Sequence, residues 1–319
     1  MRKDVKTLTF QSSLQNVPSS AWDVSEAGDG SVLAWMDNGD LYVAADGAIA
    51  PNSNASWLFQ GFVNLKTINF GNCFVTSSVT QMSGMFAGCS SLTGLDLSCF
   101  ETSAVTDMYG VFSSCGSLTH LDLTSFDTSN VTAMSSMFDG CRSLTSLDLT
   151  SFDTSSVTDM GSMFYGCESL THLNLTSFDT SKVTDMAFMF SGCSSLTALD
   201  LASFDTSSVT TMESMFSGCS SLTTLDLTSF DTSNVTTMES MFYECKSLVS
   251  LNLTNFDTSS VTRMDFMFEK CNSLTSLDLS SFDTSNVTYM NWMFSWCSSL
   301  TSLNPVSYTH LRAHETTLH

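Results

Sequence analysis

The sequence predicts an α/β solenoid: a right-handed superhelix of stacked coils with a parallel β-sheet on one face and short helices on the other, preceded by a small β-hairpin cap. Three observations predict it. A 26-residue unit recurs in register eight times over residues 92–299, each unit has one half with period two and one half with helical spacing, and residues 32–45 carry a hairpin pattern. Fixed repeats of this length are typical of units that bury their apolar faces only against their neighbours.

The first half of each unit predicts a short strand. In the unit at residues 144–169, Leu147 and Leu149 alternate with Ser146, Asp148 and Thr150. Alternation of apolar and polar residues is the pattern of a strand with one buried face. The tripeptide Asp-Thr-Ser follows and predicts a turn, because such side chains bond nearby backbone amides. Stacked units then place these strands side by side in a parallel sheet.

The second half of each unit predicts a short helix. Its apolar residues fall at i, i+3, i+4 and i+7, one face of a helix; in the same unit they are Met160, Met163, Phe164 and Cys167. Thr158 stands where a helix N-cap belongs, and Gly166 where a C-terminal stop belongs.

The residues outside the eight units fall into separate segments before and after the array. Residues 20–56 predict an N-terminal β cap, because Asp37-Asn38-Gly39 between two apolar runs is a strong hairpin signal. Residues 57–91 form a divergent first repeat, and residues 300–304 begin a ninth unit. We expect residues 1–19 to be disordered or the remnant of a leader whose start lies upstream. Residues 305–319 share nothing with the repeats, and we expect them to be foreign sequence after a truncation.

Composition argues against several classes of function. The chain has 32 acidic and 10 basic residues and a net charge of −22, which disfavours nucleic acids and anionic membranes as partners. It lacks an apolar run long enough for membrane insertion. Enzymes bring a few unlike groups together, whereas this chain offers rows of like groups. We therefore predict no catalytic residues, no cofactor and no metal site.

Nine cysteines recur at 26-residue spacing from Cys89 to Cys297, and Cys73 and Cys99 lie outside that column. Two interpretations are open. Stacking brings successive cysteines near disulfide range, but a disulfide needs converging Cβ vectors, whereas stacked side chains point the same way. The interpretation that we favour is a buried, free thiol that packs as a small apolar side chain.

A row of acidic and amide residues at one strand position is the candidate ligand-binding site. It consists of Asp96, Asp122, Asp148, Asn174, Asp200, Asp226, Asn252 and Asp278. Neighbouring strands lie about 4.8 Å apart, so these carboxylates repel one another. One hypothesis is that the row binds calcium or a basic ligand, and the other is that it is a solvated face. A second aspartate column, which includes Asp153, predicts backbone capping in the turn.

The motif LxxLxLxxFxTxxVxxMxxMFxxC, over about residues 57–304, resembles the 26-residue class of bacterial leucine-rich-repeat surface proteins of the BspA type. The hairpin with Trp35 and Tyr42 resembles the segment that precedes such repeats. The resemblance implies an extracellular, cell-surface location and a strand-lined concave face that binds host or bacterial surface macromolecules, either proteins or glycans. It also implies that Phe100, Phe126 and their equivalents stack as a spine in place of the usual asparagine ladder.

Two functions are consistent with the sequence. The first is a non-catalytic, monomeric module for adhesion or protein–protein interaction. The alternative is a passive spacer or envelope component, stabilised by calcium in one version, that presents another domain. The exposed strand positions are mostly Ser, Thr and Asp, and this uniformity keeps the spacer hypothesis open.

Overall fold

The computed structural model describes residues 2–304, in which stacked coils follow a small N-terminal sheet. Residues 305–319, and the predictions made for them, lie outside the described part of the chain. The elements are a 3₁₀ helix at Arg2–Asp4 and the strands β1 (Thr7–Gln11), β2 (Trp22–Asp23), β3 (Val32–Asp37), β4 (Asp40–Ala45), β5 (Thr67–Asn69), β6 (Ser276–Asp278) and β7 (Ser302–Asn304).

The N-terminal sheet has the strand order β2-β3-β4-β1-β5. Strands β3 and β4 form an antiparallel hairpin that closes where Asp37 pairs with Asp40. Asn38 and Gly39 both have positive φ, 49° and 96°, as a two-residue hairpin turn of type I′ requires. The hairpin therefore forms at the predicted residues, and its role as a cap stays a prediction.

Strand β1 lies within residues 1–19, for which the sequence predicts either disorder or the remnant of a leader. It pairs in parallel with β4 on one side and with β5 on the other, and so joins the hairpin to the first coil. Leu8 and Phe10 are buried, whereas Thr7 and Thr9 are half-buried. This period-2 pattern is the signal that the sequence analysis missed.

The predicted helices are wrong: residues 2–304 contain no α-helix, and therefore no helix that could cross a bilayer. The Met-Phe half of each coil is a run of consecutive turns. In one coil the Met137 amide donates to the Met134 carbonyl at 3.2 Å, and the Cys141 amide to the Phe138 carbonyl at 3.1 Å. These bonds span three residues rather than the four of an α-helix. The turns bury the same Met, Phe and Cys side chains that a helix face would bury.

The amides between these turns bond to the next coil. The Phe138 amide donates to the Met163 carbonyl at 2.9 Å, and the Gly140 amide to the Tyr165 carbonyl at 2.7 Å. A helix of about ten residues is marginal by itself, whereas the stack gives every second amide a carbonyl partner. Turns therefore replace the helix because they satisfy the backbone within and between coils.

Thr158 and Gly166 do not cap a helix. Thr158 donates its amide and its hydroxyl to the Thr132 carbonyl, one coil earlier, at 3.0 and 3.3 Å. Gly166 has φ +66° within a turn, but Ser114 and Glu244 adopt φ +59° and +57° at the same place in other coils. The two residues therefore belong to the stacked turns.

The predicted continuous parallel sheet is present only in part. Strand β5 pairs with β1, and β6 pairs with β7. From residue 70 to residue 275 the leucine half carries no assigned strand. A continuous series of parallel bridges instead runs through the other half of the coil, from Gln81–Asp107 to Arg263–Tyr289. The hydrogen bonds that hold the coils together are thus concentrated in the turns.

A column of phenylalanine rings forms the centre of the stack. From Phe86 to Phe294, successive rings have centroids 5.6–5.8 Å apart and planes within 10° of each other. Phe100, Phe126 and their equivalents, which the sequence predicts to stack, form a second buried column with wider spacing. Phe256 and Phe282 stack with centroids 6.5 Å apart and planes 3° apart, whereas Phe100 meets Phe70 of the divergent first repeat edge-on at 74°. The continuous stack belongs to the Phe of the Met-Phe pair.

A buried threonine column links the coils on the other side of this stack. Thr128, 1% exposed, donates its hydroxyl to the Asp153 carbonyl and accepts the Asp153 amide, both at 2.9 Å. The same pair of bonds recurs along the array, for example between Thr154 and Asp179. The turn sequence predicts that these side chains bond the backbone. They do, but the backbone that threonine bonds belongs to the next coil rather than to its own.

Replacing Phe190 with Ala should lower the free energy of unfolding by about 3–5 kcal/mol, because the ring is fully buried between two stacked neighbours. Val249→Ala is the control: Val249 is 48% exposed, and its loss should change stability by less than about 0.5 kcal/mol. Urea unfolding followed by circular dichroism measures both. Equal effects of the two substitutions would contradict the stack as the centre of the core.

Candidate functional site

The predicted strand-face site is exposed to solvent along its whole length. We use "strand face" for the outward polar positions of the leucine half. All eight predicted residues are exposed: Asp96, Asp122, Asp148, Asn174, Asp200, Asp226, Asn252 and Asp278.

Each member of this row also shapes its own coil. Asp148 Oδ1 accepts the amide of Thr150 at 3.0 Å and its hydroxyl at 2.7 Å. Asn174 makes the same contacts with Thr176 at 3.1 and 2.8 Å. Because an amide oxygen serves as well as a carboxylate, the coil requires the acceptor and not the charge.

Hydrogen bonding outweighs repulsion within the row. The pKa of Asp148 is lowered by the hydroxyl and the amide of Thr150, and the charge of Asp122 opposes this only weakly. The pKa values of Asp96, Asp226 and Asp278 are lowered in the same way, by the residue two places on. Neighbouring carboxylates therefore do not need a cation in order to stay charged.

The calcium hypothesis gains no support from the described residues. Within residues 2–304 no three His, Cys, Asp or Glu side chains are grouped so as to hold a metal ion. In the second aspartate column, Asp153 Oδ1 accepts the Ser155 amide at 2.9 Å, which is the backbone contact that the turn sequence predicts.

The other outward surface lies on the turns. We use "turn face" for four positions of each coil, which recur every 26 residues from Gln81, Ser83, Gly84 and Ala87 to Tyr289, Asn291, Trp292 and Ser295. In the divergent first repeat, Trp57 is the equivalent of Gly84. The Trp57 amide donates to the Ser83 carbonyl of the next coil, and the Gly84 amide donates in the same way to the Tyr109 carbonyl.

The turn face differs from coil to coil. Its Gln81 column contains Ala133, Thr211 and Arg263, and its Ala87 column contains Asp139 and Tyr165. The buried columns meanwhile repeat the same Leu, Val, Met, Phe and Cys almost without change. The uniform core therefore does not require the variation. The larger variable side chains, such as Tyr165 and Arg263, reach solvent, whereas Ser83 and Asp265 on the same face are buried.

Part of this variation is used between coils. Arg263 pairs with Glu239 at 2.7 Å. Beside the turn face, in the column of Gly88, Lys270 pairs with Glu244 at 2.6 Å. The hydrogen bond from Lys270 lowers the pKa of Glu244 to about 2. Other members expose much of their surface: Tyr109 and Tyr165 are 43% and 44% exposed. Sequence reasoning missed the turn face, although the variation is visible when the repeats are written beneath one another.

Comparison with known proteins identifies the repeat. The family model described as "Mycoplasma protein of unknown function, DUF285" matches residues 53–173, 145–248 and 220–315, and these segments together span most of the chain. The chain belongs to the DUF285 family. The resemblance to bacterial leucine-rich-repeat surface proteins of the BspA type is confirmed.

Two solved structures are similar to this DUF285 chain. One is a leucine rich cell surface protein from Faecalibacterium prausnitzii, 17% identical, with 94% of this chain and 87% of that chain covered and a TM-score of 0.34. The other is a leucine-rich repeat protein from Bacteroides ovatus, 17% identical, with 93% and 82% covered and a TM-score of 0.27. No curated protein matches the chain.

The cysteines of the DUF285 repeats are buried and free. Cys167 directs its thiol to the Phe138 carbonyl of the preceding coil at 3.2 Å, and the same contact recurs along the column. Burial raises the pKa of Cys89 to about 11 and that of Cys167 to about 12. All eleven cysteines are free, and Cys99 is partly exposed. The structure therefore agrees with the interpretation as packed thiols, which are poor nucleophiles because they stay protonated.

These thiols should make the protein unstable in alkali. The pKa of Cys167 is 9.0 in an unfolded chain and about 12 when folded, so above pH 9.0 the unfolded state loses a proton that the folded state keeps. The contribution of the Cys167 thiol to the free energy of unfolding is complete below pH 9.0. It decreases towards pH 12 by about 1.4 kcal/mol per pH unit. Unfolding in urea with a reductant, measured over this range, should show a shallower slope in Cys167→Ala. An unchanged slope would contradict this.

Two substitutions of Asp148 test the turn-forming role of the strand face. Asp148→Ala should lower the melting temperature at neutral pH, because the acceptor for Thr150 is lost, whereas Asp148→Asn should preserve it. The folded pKa of Asp148 lies below 3.8, so its contribution is present above pH 3.8 and is lost as pH falls through the folded value. In the Asp148→Asn variant, the loss of stability that comes from protonation of Asp148 should be absent. Equal melting temperatures for the Ala and Asn variants would contradict the structural role.

Proposed function

We propose that this protein is a non-catalytic interaction module of the bacterial cell surface that holds a macromolecular partner on its turn face. One observation carries the proposal: the core columns are uniform, whereas the outward turn positions change from coil to coil. A surface that must match a partner needs different side chains at different places, and a scaffold by itself does not.

The side chains on the turn face favour binding over a passive spacer. Tyr and Arg are enriched in the energetically important parts of interfaces, and both occur here among exposed residues, such as Tyr165 and Arg263. Tyr165 also contacts Phe188 edge-on, with the ring centroids 6.4 Å apart. The two rings form an aromatic pair in the middle of the array, and aromatic side chains are enriched in protein interfaces.

The partner that we propose is a host or bacterial surface macromolecule, and the location that we propose is extracellular, by resemblance to exported repeat proteins. The net charge of −22 supports a neutral or basic partner. The strand-face row from Asp96 to Asp278 is a second candidate surface, supported by its exposure. Its uniformity favours the spacer alternative for that face.

Matched variants of the two faces test the proposal. Tyr165→Ser with Phe188→Ser changes the turn face to a residue that other coils carry there, as at Ser191 and Ser214. The control is Asp122→Asn with Asp148→Asn, which retains the turn contacts. Binding to immobilised extracellular-matrix proteins and to whole bacterial cells is measured by surface plasmon resonance and cell adhesion. We expect the turn-face variant to bind about tenfold more weakly and the control to bind as the wild type does.

Loss of binding in the Asn variant alone would assign the site to the strand face. Absence of wild-type binding to every matrix protein and cell type would favour the spacer. Circular dichroism and melting temperature establish that each variant is folded.

A further inference from the structure

A cleft of about 600 Å³ lies at the N-terminal end of the turn face. Its lining includes Asn52, Asn54, Trp57, Asp107 and Tyr109. The volume falls within the range of small-molecule sites. The lining combines two aromatic rings and neutral hydrogen-bonding groups with one carboxylate, that of Asp107.

Two exposed rings form a corner of the cleft. Trp57 and Tyr109 are 40% and 43% exposed, with ring centroids 6.3 Å apart and planes at 66°. The backbone fixes their positions, since Trp57 donates to the Ser83 carbonyl at 2.8 Å and Gly84 donates to the Tyr109 carbonyl at 2.7 Å. An angle of this kind provides one ring as a platform and the other as a side wall.

Gly84 seats the Trp57 ring. A β-carbon at Gly84 would overlap the six-membered ring of Trp57, so the indole lies directly against the glycine. The backbone conformation alone does not require glycine: Ser136 and Phe188 occupy the same column with φ +57° and +59°, and Gly84 has φ +57°. The glycine is therefore explained by the indole that it accommodates.

The polar groups of the cleft fall into two sets. Asp107 is occupied by the protein, because Oδ1 accepts the Tyr109 amide at 2.9 Å and Oδ2 accepts the Ser83 hydroxyl at 2.6 Å. In residues 2–304, by contrast, no hydrogen bond uses the Trp57 indole N–H, the Asn52 side-chain amide or Asn54 Nδ2. These neutral groups are free to pair with the hydroxyls of a ligand.

We infer that this cleft binds neutral pyranose units of a glycan. One side of a pyranose ring presents mostly C–H groups, which pack on an aromatic face, while its hydroxyls pair with neutral amide groups at the edge. The net charge of −22 disfavours acidic sugars and phosphates. A quaternary ammonium ligand fits less well, because it has no hydrogen-bonding group to pair with the neutral side-chain amides of Asn52 and Asn54. The inference rests on the proposed function, in which the turn face is the binding surface.

The test uses the full chain and a panel of immobilised neutral disaccharides of glucose, mannose and N-acetylhexosamine, with sialylated glycans and choline as comparison ligands. Tryptophan fluorescence provides a second readout of ligand at Trp57. We expect at least one neutral disaccharide to bind, and Trp57→Ala and Tyr109→Ala each to weaken it by about tenfold or more.

Gly84→Ser and Gly110→Ser form a matched pair. Serine is the residue that other coils carry in this column, so both variants should fold. At Gly84 it displaces the indole, whereas at Gly110 an added β-carbon meets only Ser113 Cβ, at 3.6 Å. We expect Gly84→Ser to lose disaccharide binding and Gly110→Ser to bind as the wild type does.

The inference is overturned if no neutral disaccharide binds at millimolar concentration, if Trp57→Ala binds as well as the wild type, or if only choline or sialylated glycans bind. A protein partner that still binds, and that is lost in the Tyr165→Ser, Phe188→Ser variant, would then preserve the proposed function while removing the glycan site.

Discussion

The structure depends on the hydrogen bonds that pass between coils through the turns. Every second amide in the Met-Phe half donates to a carbonyl one coil further on, as Phe138 does to Met163 at 2.9 Å. The other amides close turns within their own coil. An unpaired buried backbone group costs about 1–3 kcal/mol, so a coil without a neighbour would leave several such groups unpaired. Each coil is therefore stable because another lies against it.

This arrangement separates the residues that hold the stack from those that face outward. Met, Phe, Cys and Leu fill the interior, and buried threonines such as Thr128 tie adjacent backbones together at 2.9 Å. The outward turn positions take almost any side chain, from Gly161 to Arg263 and Trp292. Side chains on the turn face can thus change along the array without disturbing the core, and the proposed binding surface and its aromatic cleft depend on this property.

Much of the fold is predictable from the sequence, but the local structure of the Met-Phe half is not. Met160, Met163, Phe164 and Cys167 have helical spacing, yet consecutive turns bury the same set, because both geometries return to one side after three or four residues. The choice between them depends on carbonyl partners in the next coil, which the periodicity of one unit does not contain. The Asp37-Asn38-Gly39 turn acts locally and is predictable, whereas β1 was missed because only five residues carry its alternation.

The candidate site shows the same limit. The exposure of Asp148 follows from its strand position, but its bonds to Thr150 place it among the turn-forming residues, as Asn174 at the equivalent position indicates. The Trp57–Tyr109 corner brings together side chains 52 positions apart, which only the stacking register predicts.

The reciprocal bonds between Thr128 and Asp153 join atoms separated by 25 residues, and the same interval recurs from coil to coil. Removal or duplication of one whole unit in the gene would leave every remaining threonine opposite an equivalent backbone group. Unequal recombination within such an array can therefore produce alleles of different length and reach, each with an intact fold.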